Sequence, residues 1–195
     1  MSTLVIYAHP APHRSHLHRQ LADAARAVPS AHVQDLYETY PDFDVDGERE
    51  RSLLAQARTV VFLHPFRWYG MPSLMKEWMD VVLTPGWAYG KDRNALRGKT
   101  LWLVTSTGSG PDAYEPGGLH GRPFADFLAP YEQAAALCGM TWRAPLIFHG
   151  ATGLDAASAR AHADAFGRAL AADAATDAAA NVGANAPAPG DQHGT

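Results

Sequence analysis

Leu4-Val5-Ile6-Tyr7, Val60-Val61-Phe62-Leu63 and Leu101-Trp102-Leu103-Val104 are short apolar runs in which no polar residue alternates. A strand of that kind must be covered on both faces, the situation of a parallel sheet between two layers of helices. Thr3–Tyr7, His32–Asp35, Thr59–Leu63, Thr100–Thr105 and Thr141–Phe148 read as five strands. Helical spacing falls between them, over Ser15–Val28, Gly47–Ala57, Leu74–Val82, Phe124–Cys138 and Asp155–Ala172. Ser15 suits the N-cap of the first helix and Pro72 the N1 position of the third.

Strands alternating with helices predict an α/β protein with right-handed crossovers. Ligand-like loops after the first, third and fourth strands match the flavodoxin-like strand order 2-1-3-4-5. The expected architecture is a three-layer sandwich around a five-stranded parallel sheet, occupying residues 1–172. From Asp173 to Thr195 the composition falls to Ala, Gly, Asn, Pro and Asp. Such a segment has too little apolar surface to order itself, so 173–195 reads as a low-complexity, disordered tail.

The bulk numbers bound the function. With 195 residues, 47% of them hydrophobic and 18% charged, the chain suits one globular domain. The net charge of −4 with no basic block disfavours nucleic acid. The lone Cys138 excludes an internal disulfide framework and a thiolate-rich zinc site, and it reads as a packing residue in an Ala-rich helix. No apolar stretch is long enough to span a bilayer, and Leu4–Tyr7 is too short for a signal core, so a cytoplasmic protein is expected.

Three loops carry the chemistry. The first, His9-Pro10-Ala11-Pro12-His13-Arg14-Ser15-His16-Leu17-His18, runs from a strand end into a helix start. Free backbone N–H groups, the positive helix end and the Ser15 hydroxyl suit a phosphate there. The same residues suit an N-capped helix with solvated histidines. A metal is disfavoured: no Asp, Glu or Cys joins the histidines, and His16 and His18 fall on different helix faces. No G-x-G-x-x-G is present.

The second loop, His64-Pro65-Phe66-Arg67-Trp68-Tyr69-Gly70, gathers three aromatics that suit a planar heterocycle or, individually, a cover for the sheet end. The third, Ser106-Thr107-Gly108-Ser109-Gly110, allows close backbone approach and is not a nucleophile elbow. Tyr114 and His120 follow it. A phenol and an imidazole there suit oxyanion stabilisation or proton transfer beside a redox ring, or are two surface residues.

The strand-loop-helix with Ala8-His9-Pro10 and Ser15, the segment His64-Pro65-x-x-Trp68-Tyr69-x-x-Pro72, the run Gly86-Trp87-Ala88-Tyr89-Gly90, the turn Ser106-Thr107-Gly108 and Tyr40-Pro41-Asp42-Phe43 resemble the flavodoxin-like NAD(P)H:quinone oxidoreductase family. Within it the likeness, from residue 3 to about 150, is to the ancillary flavoproteins of glutathione-regulated potassium-efflux systems. The resemblance implies an FMN-binding homodimer that passes two electrons from NAD(P)H to a quinone by a ping-pong route. By position, His9, Ser15, His16, Leu17 and His18 would surround the phosphate and ribityl chain. Pro65, Phe66, Arg67, Trp68 and Tyr69 would line the ring system, and Ser106, Thr107, Gly108 and Ser109 its other edge. Tyr114 and His120 would assist hydride transfer, while Trp87 and Tyr89 would serve the substrate or the partner subunit. The resemblance also admits an alternative, a regulatory subunit that docks on a membrane potassium-efflux antiporter at the inner membrane face. Departures are Ser-Thr-Gly-Ser for the family's Thr-Thr-Gly-Gly, His at position 18 for Asn and Arg at position 67 for Gln.

Overall fold

A computed structural model of the chain describes residues 2–91 and 94–184. Five parallel strands, β1 (Thr3–Tyr7), β2 (Ala31–Asp35), β3 (Thr59–Pro65), β4 (Thr100–Ser106) and β5 (Thr141–Phe148), form one sheet in the order β2-β1-β3-β4-β5. This is the flavodoxin-like order.

Successive side chains of the central strands enter opposite layers. Val5, Tyr7, Val61 and Leu63 pack with Leu21 and Ala25 of α1 (His16–Arg26) and with Ala163 and Phe166 of α6 (Ala156–Ala184). Leu4, Ile6, Val60 and Phe62 face the other layer. There they meet Leu54 of α3 (Gly47–Gln56), Leu74, Met75 and Trp78 of α4 (Ser73–Val82), and Tyr131 and Ala135 of α5 (Ala129–Leu137). Both faces of the sheet are covered, as the unbroken apolar runs require.

Helix starts follow local chemistry. The Ser15 side chain accepts the His18 N–H at 3.0 Å, and Asp46 accepts the N–H groups of Glu48 and Arg49. Within the second layer lies Glu50, fully buried, its carboxylate accepting from Gln34 Nε2 at 2.6 Å, Tyr40 OH at 2.7 Å and Trp78 Nε1 at 2.9 Å.

Several boundaries differ from expectation. Pro72 is the N-cap of α4 rather than its N1 residue. A short helix α2 (Leu36–Thr39), capped by Asp35, follows β2. The helix expected over Phe124–Cys138 is two pieces, a 3-10 turn at Phe124–Phe127 and then α5. Pro130 has no N–H for the preceding turn, so the chain restarts its helix with Pro130 in the first turn. The last helix does not stop at Ala172 but runs to Ala184, past the expected tail boundary at Asp173. Alanine, the best helix former, dominates that stretch of sequence and favours its helical backbone. Residues 185–195 of the expected tail lie outside the described residues.

Cys138 is buried at the end of α5, where burial raises its thiol pKa. Among the described residues no helix is long and apolar enough to cross a membrane.

Candidate functional site

The loops after β1, β3 and β4 converge at the carboxyl edge of the sheet, joined by the loop after β5. Backbone bonds hold them in register. Phe66 N–H donates to Ser106 O at 2.8 Å, Thr107 N–H to Phe148 O at 3.0 Å, and Ala151 N–H to Thr107 O at 2.9 Å. The Thr105 hydroxyl adds a bond to His64 O at 2.7 Å.

Two adjoining clefts result. A cleft of about 540 Å³ is lined by His9, Ser15, His16, Leu17 and His18 on one side and Pro65, Phe66, Arg67, Ser106 and Gly108 on the other. A second, of about 220 Å³, is lined by Trp68, Tyr69, Ser109, Tyr114 and His120, and shares Phe66 and Gly108 with the first. Together they make one elongated depression with a basic end and an aromatic end.

The basic end is built on the start of α1. Ser15 Oγ satisfies the His18 N–H, and the N–H groups of His16 and Leu17 have no intrahelical partner. His9 Nδ1 accepts from Ala11 N–H at 3.1 Å, which leaves the His9 proton on Nε2 as a donor. Burial, helped by the Arg67 and His13 charges, lowers the His9 pKa to about 4. Burial takes His18 to about 3, with His9 adding to the effect. Both rings, 5.1 Å apart, are neutral at pH 7 and act through N–H groups, not charge. Positive charge comes instead from Arg14 and Arg67, and no carboxylate among the described residues lines this cleft. Buried His18 Nε2 has no hydrogen-bond partner among the described residues.

The aromatic end rests on a tight turn. Arg67 and Gly70 exchange backbone bonds of 2.9 and 3.0 Å, with positive φ at Trp68 (48°) and Tyr69 (64°) between them. Consecutive positive φ angles are the mark of a type I′ turn, a strained choice for two bulky residues. The turn stands Trp68 out into solvent, 95% exposed, and turns Tyr69 back over Phe127 at 5.3 Å. Behind it His64 is fully buried, donates Nδ1–H to Pro65 O at 3.1 Å and stacks on Tyr131.

Tyr114 and His120 are brought together. Their rings stack at 4.4 Å and 30°, with His120 Nε2 3.3 Å from Ser109 Oγ and Nδ1 3.5 Å from Tyr69 OH. Burial raises the Tyr114 pKa, a neighbouring Thr107 hydrogen bond lowers it and Tyr69 raises it. The phenol therefore stays protonated at neutral pH.

Two groups of expected site residues stand elsewhere. Thr107 lies beneath the clefts, buried, with its hydroxyl bonded to Ser109 O and His149. Trp87 packs against α3 with Arg51 6.0 Å from its ring, and Trp87 and Tyr89 line neither cleft. Residues not anticipated from the sequence also line the depression: Arg14 and, from the loop after β5, Ala151, Thr152 and Leu154. A Cβ on Gly108 would meet Thr152 Oγ1 at 3.0 Å, so glycine keeps this wall open.

The flavodoxin-like fold family model matches residues 1–170. The chain is 40% identical over 146 residues to the glutathione-regulated potassium-efflux system ancillary protein KefF of Klebsiella aerogenes, covering 75% of this chain and 81% of that one. It superposes on the general stress protein 14 of Treponema denticola, solved in complex with FMN. The TM-score is 0.79 at 34% identity, over 90% of this chain and 99% of that one. It also superposes on an NADPH-quinone reductase from P. pentosaceus with a TM-score of 0.77 at 30% identity, over 86% and 96% of the two chains. From its strand order, its cleft and these likenesses, the chain belongs to the flavodoxin-like fold family.

Proposed function

We propose that the protein is an FMN-dependent NAD(P)H:quinone oxidoreductase that works as a homodimer by a ping-pong route. The observation that carries the reading is the single depression with a basic, N–H-rich end at the start of α1 and an aromatic end at Tyr114 and His120. The residues fit FMN. A phosphate suits the His16 and Leu17 N–H groups, the Ser15 hydroxyl, Arg14 and His9 Nε2–H. A flat ring suits the floor made by Phe66 and Gly108, and Pro65, Arg67, Ser106 and Ser109 stand at its edges. The unsatisfied His18 Nε2 gives the polar tail a further buried partner.

The bound flavin would supply two-electron chemistry. The chain's own work is placement and charge. Trp68, Tyr69 and the Tyr114–His120 pair bound the space over the ring, so an incoming nicotinamide and then a quinone are oriented rather than met by collision. The Tyr114 O–H and His120 stabilise negative charge on a quinone oxygen. In the dimer, Trp87 and Tyr89 belong to the neighbouring subunit's site. Steady-state rates over a grid of NADPH and quinone concentrations test this: parallel double-reciprocal lines are expected, and intersecting lines reject the ping-pong route.

The likeness to KefF favours a second role, a regulatory subunit of a potassium-efflux antiporter. The two roles separate in a variant that cannot turn over. Activation of an antiporter by the double variant Tyr114→Phe/His120→Gln supports regulation independent of catalysis, and loss of activation ties the two together.

A further inference from the structure

Arg67 stands where the two clefts adjoin, on a rigid platform. Its backbone N–H donates to Gly70 O at 2.9 Å, and its carbonyl accepts from Gly70 N–H at 3.0 Å. Neither bond uses the side chain, so the turn does not depend on the guanidinium. Phe66, the residue before it, belongs to the floor shared by the clefts, and Trp68, the residue after it, borders the aromatic one. Arg67 itself lines the larger cleft.

The guanidinium charge is not spent within the protein. Among the described residues no ion pair includes it, and no carboxylate lines the cleft. Burial is the main cause of the low pKa values of His9 and His18, and the Arg67 charge adds to it at both rings. The charge therefore acts inside the cleft. The phosphate end has its own donors in Arg14, Ser15 and the free N–H groups of α1, which leaves Arg67 for the ring.

We propose that Arg67 sets the reduction potential of the bound flavin: its guanidinium, at the ring edge, favours the two-electron-reduced, anionic ring over the neutral oxidised one. The inference rests on the flavin reading of the proposed function. A hydride from NAD(P)H brings two electrons and one proton to a neutral ring, which gains one negative charge, while the nicotinamide leaves with a positive one. A fixed cation beside the ring is nearly indifferent to the first state and attracts the second. The Arg67 side chain is exposed, so water screens it and the effect is modest, about tenfold in the ratio of reduced to oxidised affinity. Glutamine, from which position 67 departs, offers a dipole and no net charge.

The test is the midpoint potential of the FMN-loaded protein, read by reductive titration against a dye of known potential. Arg67→Gln lowers it by about 30 mV, the equivalent of that tenfold ratio for a two-electron couple. Arg67→Lys keeps the charge and most of the potential. Arg14→Gln, at the phosphate, weakens both oxidation states alike and leaves the potential in place. Added salt lowers the potential of the unsubstituted protein toward that of Arg67→Gln and barely moves the variant. An unchanged potential in Arg67→Gln, or an equal fall in Arg14→Gln, overturns the proposal. The half-reactions move in opposite directions: Arg67→Gln slows reduction by NADPH about threefold and speeds reoxidation by a quinone by a similar factor. Equal slowing of both steps at an unchanged potential makes Arg67 a general binding residue and also overturns the proposal. A protein that takes up no FMN overturns this inference together with the proposed function. One that shows the Arg67 shift but never reduces a quinone keeps the Arg67 assignment and loses the reductase reading. One that reduces quinone without the shift does the reverse.

Discussion

The Tyr114 phenol lies face to face on the His120 imidazole, ring centroids 4.4 Å apart, at the aromatic end of a depression whose other end is the start of α1. The stack holds two proton-bearing groups side by side with neither consuming the other's hydrogen bond. In the proposed enzyme both then face the substrate oxygen. Replacing Tyr114 with Phe and His120 with Gln should slow quinone reduction on the order of 100-fold in the double variant while FMN stays bound. Stopped-flow rates of the quinone half-reaction measure this, and unchanged rates remove the pair from catalysis.

Ser15 has two duties. Its Oγ caps α1 through the His18 N–H at 3.0 Å, and it lines the basic end of the cleft. Ser15→Ala should cost about 1 kcal/mol of stability through the lost cap. It should also weaken FMN binding, whereas Ser15→Thr preserves both. Thermal unfolding beside a flavin-fluorescence titration separates the effects; a weaker cap with unaltered FMN affinity would place the phosphate elsewhere.

Three buried histidines make the fold sensitive to acid. Burial holds His9 and His64 at about 4 and His18 at about 3, against 6.5 in an unfolded chain. Below pH 6.5 the unfolded chain takes up protons that the folded one refuses. The stabilisation is complete above that pH and drains away as pH falls toward 4 and then 3. Each ring contributes about 1.4 kcal/mol per pH unit across its window. The urea midpoint of the flavin-free protein should therefore drop steadily from pH 7 to about pH 4. A midpoint flat over that range contradicts the assignment.

Glu50 is a buried carboxylate held by three neutral donors. Glu50→Gln turns an amide N–H₂ against at least one of them and leaves donors facing donors. The expected cost is about 1–3 kcal/mol, read as a lower Tm, with FMN affinity unchanged. A fully stable variant would show that the network relaxes around the amide.

The fold was legible because strands such as Leu4–Tyr7 and Val60–Leu63 are apolar on both faces, which only a covered parallel sheet accommodates. Ser15 announced its helix start by an ordinary capping rule. Harder to read was the break before α5, since Pro130 sits inside an otherwise unbroken helical pattern. The extent of α6 was hidden too, because alanine propensity carries a helix where no apolar stripe marks it. In the site, the loops after β1, β3 and β4 declared themselves by composition. The turn at Trp68 and Tyr69 did not, because type I′ turns normally advertise Asn and Gly. Nor did His149, Thr152 and Leu154, which follow β5 without a motif and acquire meaning only when backbone bonds carry that loop onto Thr107 and Ser109.

The most direct measurement is the visible absorbance of the purified protein, recorded anaerobically before NADPH, after NADPH and after a quinone. The expected result is a yellow protein with an FMN spectrum that bleaches on NADPH and returns in full when the quinone is added. A colourless protein that takes up no FMN, or a bound flavin that NADPH never bleaches, would contradict the proposed function.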